Sequence, residues 1–492
     1  MTFLPSNTVL DVSVLLFLAT CIGAYRLLCV PSHLRHIPAV PIFPTLASYI
    51  SGEVEEQRVK RLILPFADSK ETDVVLVYCL GNWMVQVLES KLGKQLLENP
   101  TVWKQEQSKD ILLWRFIGNN NVFMANGEMG KRHARIVRDS INKTMPVDVF
   151  TSLSRTALDL IGDGGRVRWD DFANRYTLDA FGIGVIGYDF QALADPDGHF
   201  VQRYHEVMNA IANPLYVGLP VLERWLPRRG VQKMIDSFVT DLCKILDEKK
   251  KSPGNDVITY MFQEPEMTEL EYRDNTIVMF VAGHDTTAGA ISSAAFFLGL
   301  YPEIQERVRE EVIAVMGYDE PTADHFNRMP YLNAVLRESM RTNTPSNITL
   351  PRISDEPVRI GSYTVPPGTP MCFNICAAHH NPRTWCTPAA FDPTRFLHDA
   401  EANAGAGGTG TGEAAHWATF GLGPRRCLAR NFSIFEQRVL LSMLIREFRW
   451  SVPADSPHRQ RIRNGLSVFA LSLPENLELD FVRLGEEKGR WL

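Results

Sequence analysis

Apolar residues recur every three to four positions along most of the chain, and the longest such runs predict helices. They read RTALDLIGDGG, FVQRYHEVMNAIA, VQKMIDSFVTDLCKILDEKKK, TELEYRDNTIVMFVAGHDTTAGAISSAAFFLGL, PEIQERVREEVIAVM and NFSIFEQRVLLSMLIREF. At the head of the fourth run, Thr268 and Glu271 have the spacing of a capping box, so a long helix is expected to begin there. Strand-like alternation is short and confined to DVVLVYCL, PRISDEPVRIGSYTVP and LSVFALSLP. The expected fold class is mainly α with small β-sheets (α+β).

The N-terminus breaks the amphipathic pattern. Thr8 to Tyr25 is apolar apart from Asp11 and a few small polar residues, about one bilayer span. A cleaved signal peptide would start with positive charge, whereas the first charge here is Asp11. Residues 1–30 are therefore expected to be a membrane anchor, and Arg26 and Arg35 behind the span place the rest of the chain in the cytosol. Pro31, Pro38, Pro41 and Pro44 make 31–45 a stiff connector. Residues 46–492 show no repeat or change of composition and read as one domain. It is interrupted by the Gly/Ala-rich insert 401–415, expected to be a mobile surface loop. The insert lacks a G-K-[ST] ending, which argues against phosphate binding.

Composition narrows the function. The chain has 492 residues, 45% of them hydrophobic, enough for a large core. A net charge of −6 arises from interspersed charges without basic runs, so no nucleic-acid partner is expected. Eight cysteines without a C-x-x-C pair suggest neither a disulfide framework nor a zinc site, and fit a reducing compartment.

One of those cysteines stands apart. Most lone thiols are buried structural groups, but Cys427 lies in FGLGPRRCLAR, just before a helical run whose N-terminal N–H groups favour a thiolate. Gly421, Gly423 and Pro424 preset a tight turn, Arg425 and Arg426 add positive charge suited to a carboxylate, and Phe420 offers a wall against water. The stretch resembles the haem-binding loop of the cytochrome P450 monooxygenases, F-x-x-G-x-R-x-C-x-[GA], with Phe420, Gly423, Arg425, Cys427 and Ala429 at its five positions. The resemblance implies a haem b held by Cys427 as axial ligand, Arg425 on a propionate and Phe420 packed by the sulfur. It also implies that family's fold, a triangular helical domain with haem between the long central helix and the Cys-loop helix.

In the long helical run, FVAGHDTTAGA places Ala282 and Thr286 on one face with Gly283 beside them. Read alone this is a kinked core helix whose hydroxyls bond back to the preceding turn. It is also similar to the family's oxygen-activation groove, [AG]-G-x-[DE]-T-[TS]. By that likeness Asp285 and Thr286 are the catalytic pair that positions water and delivers protons to dioxygen, Ala282 and Gly283 leave room for it, and His284 occupies a variable position. RESMR and FDPTRF resemble the family's E-x-x-R helix and P-x-R-F segment, which implies a structural network of Glu338, Arg341 and Arg395.

One stretch departs from the pattern. In GEMGKRHARIV, Gly130 and Ala134 stand where the family usually has propionate-binding Trp and Arg. Arg135 or His133 is a candidate substitute, and Arg352 in LPRIS another propionate contact.

The resemblance implies a monooxygenase that hydroxylates a lipophilic substrate such as a sterol, terpenoid or fatty acid. The chain has no flavin or nicotinamide fingerprint. Electrons are expected from a separate membrane-bound NADPH-dependent cytochrome P450 reductase, with cytochrome b5 as a further partner. The reductase is expected to dock near Arg425, Arg426, Arg430, Lys131 and Arg132. AGHDTT and NFSIFEQRV look like microsomal members from fungi, which implies an endoplasmic reticulum membrane location. The alternatives are a haem-thiolate isomerase or dehydratase needing no reductase, and a non-catalytic haem sensor; the Asp285–Thr286 pair counts against both. Substrate lining is expected around Phe280 and Ala282, 343–349 and 116–123.

Overall fold

The computed structural model describes residues 28–105, 110–397, 412–467 and 470–485, together with 14, 23 and 25. The expected anchor therefore lies almost wholly outside the described residues, as do 401–411 of the insert. Among the described residues no helix is long and apolar enough to cross a membrane.

The helices that matter here are, in chain order, α1 (Gly127–Lys143), α2 (Val147–Ile161), α3 (Trp169–Phe181), α4 (His199–Ile211), α5 (Arg229–Lys251), α6 (Glu269–Leu300), α7 (Pro302–Met316), α8 (Pro330–Thr342) and α9 (Arg430–Glu447). The strands are β1 (Val74–Cys79), β2 (Asn82–Val87), β3 (Lys104–Gln105), β4 (Gly164–Arg168), β5 (Arg352–Ile353), β6 (Val358–Ile360), β7 (Tyr363–Val365), β8 (Met371–Phe373), β9 (Phe448–Ser451) and β10 (Glu478–Arg483).

Helix α6 is the axis of the molecule. Its capping box forms: the Thr268 hydroxyl accepts from the Glu271 N–H at 3.3 Å, and the Glu271 carboxylate accepts from the Thr268 N–H at 2.9 Å. From Ile277 to Gly299 most of its residues are buried, as expected of a largely apolar helix. Helices α3, α8, α9 and α7 pack along it. It lies tight against α3 at Gly283, where an added Cβ would lie 2.8 Å from the Phe181 ring. Phe181, Tyr204 and Phe238 in turn surround Phe280 with ring centroids 5.2–6.1 Å away.

The sheets flank this helical body. The largest has strand order β1-β2-β8-β5-β3, and β4-β10-β9 and β6-β7 form smaller ones. Strand β2, which alternation alone does not pick out, pairs antiparallel with β1 from Val74↔Val87 to Cys79↔Asn82. Its Leu80-Gly81 turn lacks the Asn-Gly or Asp-Gly signature that usually announces a hairpin. No strand forms among the described residues of LSVFALSLP. Among its described residues there are only isolated bridges, Leu471 to Ser346 and Pro474 to Asn464. Ala470 takes a positive φ of 52° that breaks the extended run, and its carbonyl is drawn off by the Asn347 side chain at 2.7 Å.

The Gly283–Phe181 contact makes a prediction. Gly283→Val should lower stability by about 1–3 kcal/mol through overpacking, and Phe181→Leu in the same chain should recover part of that loss. Urea denaturation of both variants checks this.

Candidate active site

The Cys427 loop is shaped by its backbone. Gly421 N–H donates to Ala418 O at 2.8 Å, and Cys427 N–H donates to Phe420 O at 2.9 Å, closing the turn. Gly423 has φ 69°, and a Cβ there would lie 2.8 Å from the Leu97 carbonyl oxygen, so both conformation and space demand glycine. A 3-10 turn over Gly423–Arg425 follows, and α9 begins three residues after the cysteine. Cys427 remains exposed although protein surrounds it, the situation of a group on the floor of a recess. Burial raises its thiol pKa, while the Ala429 N–H and the Arg430 charge act in the opposite sense. Phe420 stands edge-on to Trp417 at 5.8 Å and under the Arg430 guanidinium at 5.9 Å.

Two cations stand together here, the half-buried Arg425 of the loop and the buried Arg352. Arg425 donates to Val122 O at 2.8 Å, to Ala125 O, and to Asn126 Oδ1 at 3.1 Å. Gly130 makes room for this arrangement, since a Cβ there would lie 2.6 Å from Ala125 O and 3.1 Å from Arg425 Nη2. Arg352, on β5, is 5% exposed, and its Nε has no hydrogen-bond partner among the described residues. Burial, helped by repulsion from Arg425, pushes the Arg352 guanidinium down to about 10. A buried guanidinium with an idle donor and a second cation beside it calls for an anion between them. An anionic, carboxylate-bearing group therefore fits this side of the recess.

The candidate substitutes on α1 are committed elsewhere. His133 is fully buried, with Nε2 3.2 Å from the Glu271 carboxylate and Nδ1 3.4 Å from Asn275 Nδ2. Arg132 pairs with the same glutamate, and Arg135 pairs with Glu266 at 2.8 Å. All three tie α1 to α6 and its approach. Of the residues expected to dock a partner, Arg425 is half-buried and Arg426 exposed, while Lys131 pairs with Glu128 at 2.7 Å.

Along α6, Thr286 Oγ1 donates back to Ala282 O at 2.9 Å. Asp285 points into the interface with α3 and α4, where its carboxylate accepts from Tyr204 OH at 2.6 Å and from Asn174 Nδ2 at 3.1 Å. Gly283 gives its space to Phe181, not to the recess. His284, fully buried, bonds through Nδ1 to Phe280 O at 2.7 Å and brings Nε2 within 3.3 Å of Asp285. Thr287 Oγ1 meets Ser433 Oγ of α9 at 3.0 Å, joining the two helices that border the recess.

The loop is held from behind by α8. Glu338 and Arg341, both with fully buried side chains, make a two-point pair at 2.7 and 2.8 Å. Arg341 also donates to the carbonyls of His379, Pro388 and Ala390 at 2.8–3.0 Å. The Glu338 carboxylate accepts from the Asp392 N–H at 2.9 Å and stands 3.5 Å from Arg395 Nε. Arg395 reaches on to Glu413 at 2.6 Å. Glu413 belongs to the stretch expected to be mobile, but 412–416 is a 3-10 turn fastened to this network. His379, which no motif pointed to, accepts the Ala418 N–H on Nε2 at 2.9 Å while its Nδ1 meets Thr344 Oγ1 at 2.9 Å. This fixes its tautomer, with the proton on Nδ1.

Comparisons with known proteins show the family and the fold. The family model Cytochrome P450 matches residues 96–479. A probable cytochrome P450 516B1 of Dictyostelium discoideum is 27% identical over 406 residues, covering 74% of this chain and 81% of its own. The cytochrome P450 monooxygenase xanG of Aspergillus fumigatus is 23% identical over 456 residues, covering 86% and 84%. Among solved structures, the heme domain of a cytochrome P450DA mutant superposes with TM-score 0.77 at 20% identity, over 93% of this chain and 99% of that one. A zebra fish cytochrome P450 with abiraterone does so with TM-score 0.72 at 22% identity, over 86% and 99%.

Two predictions follow from the loop's support. Glu338→Gln leaves Arg341 buried without its counter-charge and should cost about 3–5 kcal/mol, read from the urea midpoint. Burial, with Arg341 adding repulsion, drops His379 to about 3 from an ordinary value near 6.5. Between these values the unfolded chain binds the proton and the folded chain does not, so stability is full above pH 6.5 and falls as the pH drops toward 3. His379→Gln should reduce that slope by about 1.4 kcal/mol per pH unit between pH 4 and 6.

Proposed function

Since the chain belongs to the cytochrome P450 family, and is thereby a haem-binding monooxygenase, we propose that Cys427 is its axial ligand and that it hydroxylates a lipophilic substrate. The observation that carries this reading is the recess itself. Its floor is a cysteine on a preset turn, and its side holds Arg425 and the incompletely satisfied Arg352, which would take the propionates. When bound, the haem supplies the oxidant that inserts oxygen into a C–H bond.

The chain's own groups do the rest. The turn over 420–427 holds the sulfur in place, with the Ala429 N–H and Arg430 favouring its anionic form. Thr286 spends its hydroxyl proton on Ala282 O, which leaves oxygen lone pairs to orient a water in the groove. Asp285 is set by Tyr204 and Asn174 as a fixed proton holder behind that threonine. Glu338, Arg341 and Arg395 keep the loop in place and take no part in the chemistry. The Asp285–Thr286 pair favours oxygen activation over the isomerase and sensor readings.

Electrons come, on this reading, from an NADPH-dependent reductase, with cytochrome b5 a second donor, docking on the face that presents the exposed Arg426. Residues 1–30 anchor the protein in the endoplasmic reticulum membrane, 31–45 form the connector, and 46–492 are the catalytic domain in the cytosol. The hydropathy of Thr8 to Tyr25 and the following Arg26 and Arg35 support that orientation.

The carbon monoxide difference spectrum of the reduced protein tests the ligand assignment. Wild type should give the long-wavelength Soret band and Cys427→Ala should lack it; a band retained in the variant rules Cys427 out. Arg352→Met should keep the band but release haem to apomyoglobin several-fold faster. Asp285→Asn should lower turnover by about tenfold or more with the spectrum unchanged.

A further inference from the structure

A cavity opens between the N-terminal part of the chain and the segment that leads to Arg352. Its lining includes Cys79, Leu113, Trp114, Val217, Thr349 and Leu471. Residues 348–351 line it, and the next residue is Arg352, buried beside Arg425 of the Cys427 loop. One part of the lining thus adjoins, along the chain, the buried arginine beside the Cys427 loop.

Most of the lining is apolar, but one wall is not. Tyr49, Glu53, Glu55 and Arg58 face the cavity together. Arg58 and Glu55 form an ion pair whose side chains are 3% and 5% exposed. Arg58 also donates from Nε to Ser48 Oγ at 2.6 Å and from Nη2 to Glu53 O at 2.7 Å. Its guanidinium lies 3.7 Å from the centre of the Tyr49 ring. The Glu53 carboxylate is taken at both oxygens by Arg61, at 2.7 and 2.6 Å. The cation in this wall is thus already compensated, and two carboxylates stand beside it.

We infer that this wall selects the substrate's remote end: the enzyme accepts neutral lipophiles carrying a hydroxyl there and rejects the corresponding carboxylates. A carboxylate entering the cavity would lose its water, meet a cation already paired and stand against the Glu55 charge, so its desolvation cost is returned only in part. A hydroxyl loses far less on entering. The N–H groups Arg58 does not use and the second oxygen of Glu55 can serve it as donor and acceptor. Of the substrate classes considered, this favours hydroxylated terpenoids and sterols over free fatty acids. The inference rests on the monooxygenase reading, since it takes the cavity as the approach to the haem.

Decan-1-ol and decanoate share a chain and differ at the end, and serve as probes. Their binding to the haem-loaded full chain at pH 8 is measured by equilibrium dialysis and by the Soret shift. Wild type should bind the alcohol at least about tenfold more tightly than the acid. Glu55→Gln leaves Arg58 uncompensated and should move the ratio toward decanoate by about tenfold or more. Equal or preferred binding of decanoate by wild type, binding of neither probe, or a ratio unchanged in folded Glu55→Gln overturns the inference. The wild-type comparison stands even where the variant does not fold. The carbon monoxide band of the same preparation reports separately on the thiolate haem, so a failure of that assignment is told apart from a failure of the selectivity.

Discussion

Everything around the recess depends on one buried ion pair. Glu338 and Arg341 lie a turn apart on α8, with no water to screen them. Such a pair costs more to desolvate than its attraction returns unless its remaining donors and acceptors are used. Here they are used on backbone. Arg341 takes the carbonyls of His379, Pro388 and Ala390, and Glu338 takes the Asp392 N–H. The pair thereby dictates the path of an irregular stretch that has little secondary structure of its own to define it. His379 passes that order on to Ala418, and from there the backbone turns directly into the cysteine loop.

Helix α6 contributes a different constraint. Successive residues on a helix point about 100° apart, so neighbours in sequence serve different surroundings. Asp285 turns into the polar pocket made by Asn174 and Tyr204, while Thr286 bonds back along its own helix. The carboxylate is thus kept among partners that fix it, and the hydroxyl is left at the boundary. Two adjacent letters of sequence give a carboxylate held by fixed partners and a half-buried hydroxyl because the helix separates them.

What the sequence made legible was what is local. The turn over 420–427, the capping box at Thr268 and Glu271, and the three-residue spacing of Glu338 and Arg341 are each written within a few residues. Their geometry follows from backbone rules that need no distant partner. The groups that escaped notice all act across long separations: His379 on Ala418, Tyr204 on Asp285, Glu413 on Arg395. No periodicity marks them. Glu413 was hidden further by its position at the end of a Gly/Ala-rich stretch. Gly130 reads as the loss of an expected tryptophan, whereas in three dimensions it is the space in which Arg425 reaches the 122–126 turn. LSVFALSLP alternates like a strand, yet its described residues make only isolated bridges, with the Ala470 carbonyl taken by both the backbone and the side-chain N–H of Asn347.

The charges of the network behind the loop are paired with one another: Glu338 with Arg341 and Arg395, and Arg395 with Glu413. Its charges are matched within the protein, so its formation does not wait for the prosthetic group. Arg352, by contrast, makes no ion pair among the described residues. The apoprotein therefore carries within itself the contacts that frame the cysteine loop, while Arg352 keeps a place for an anion beside it.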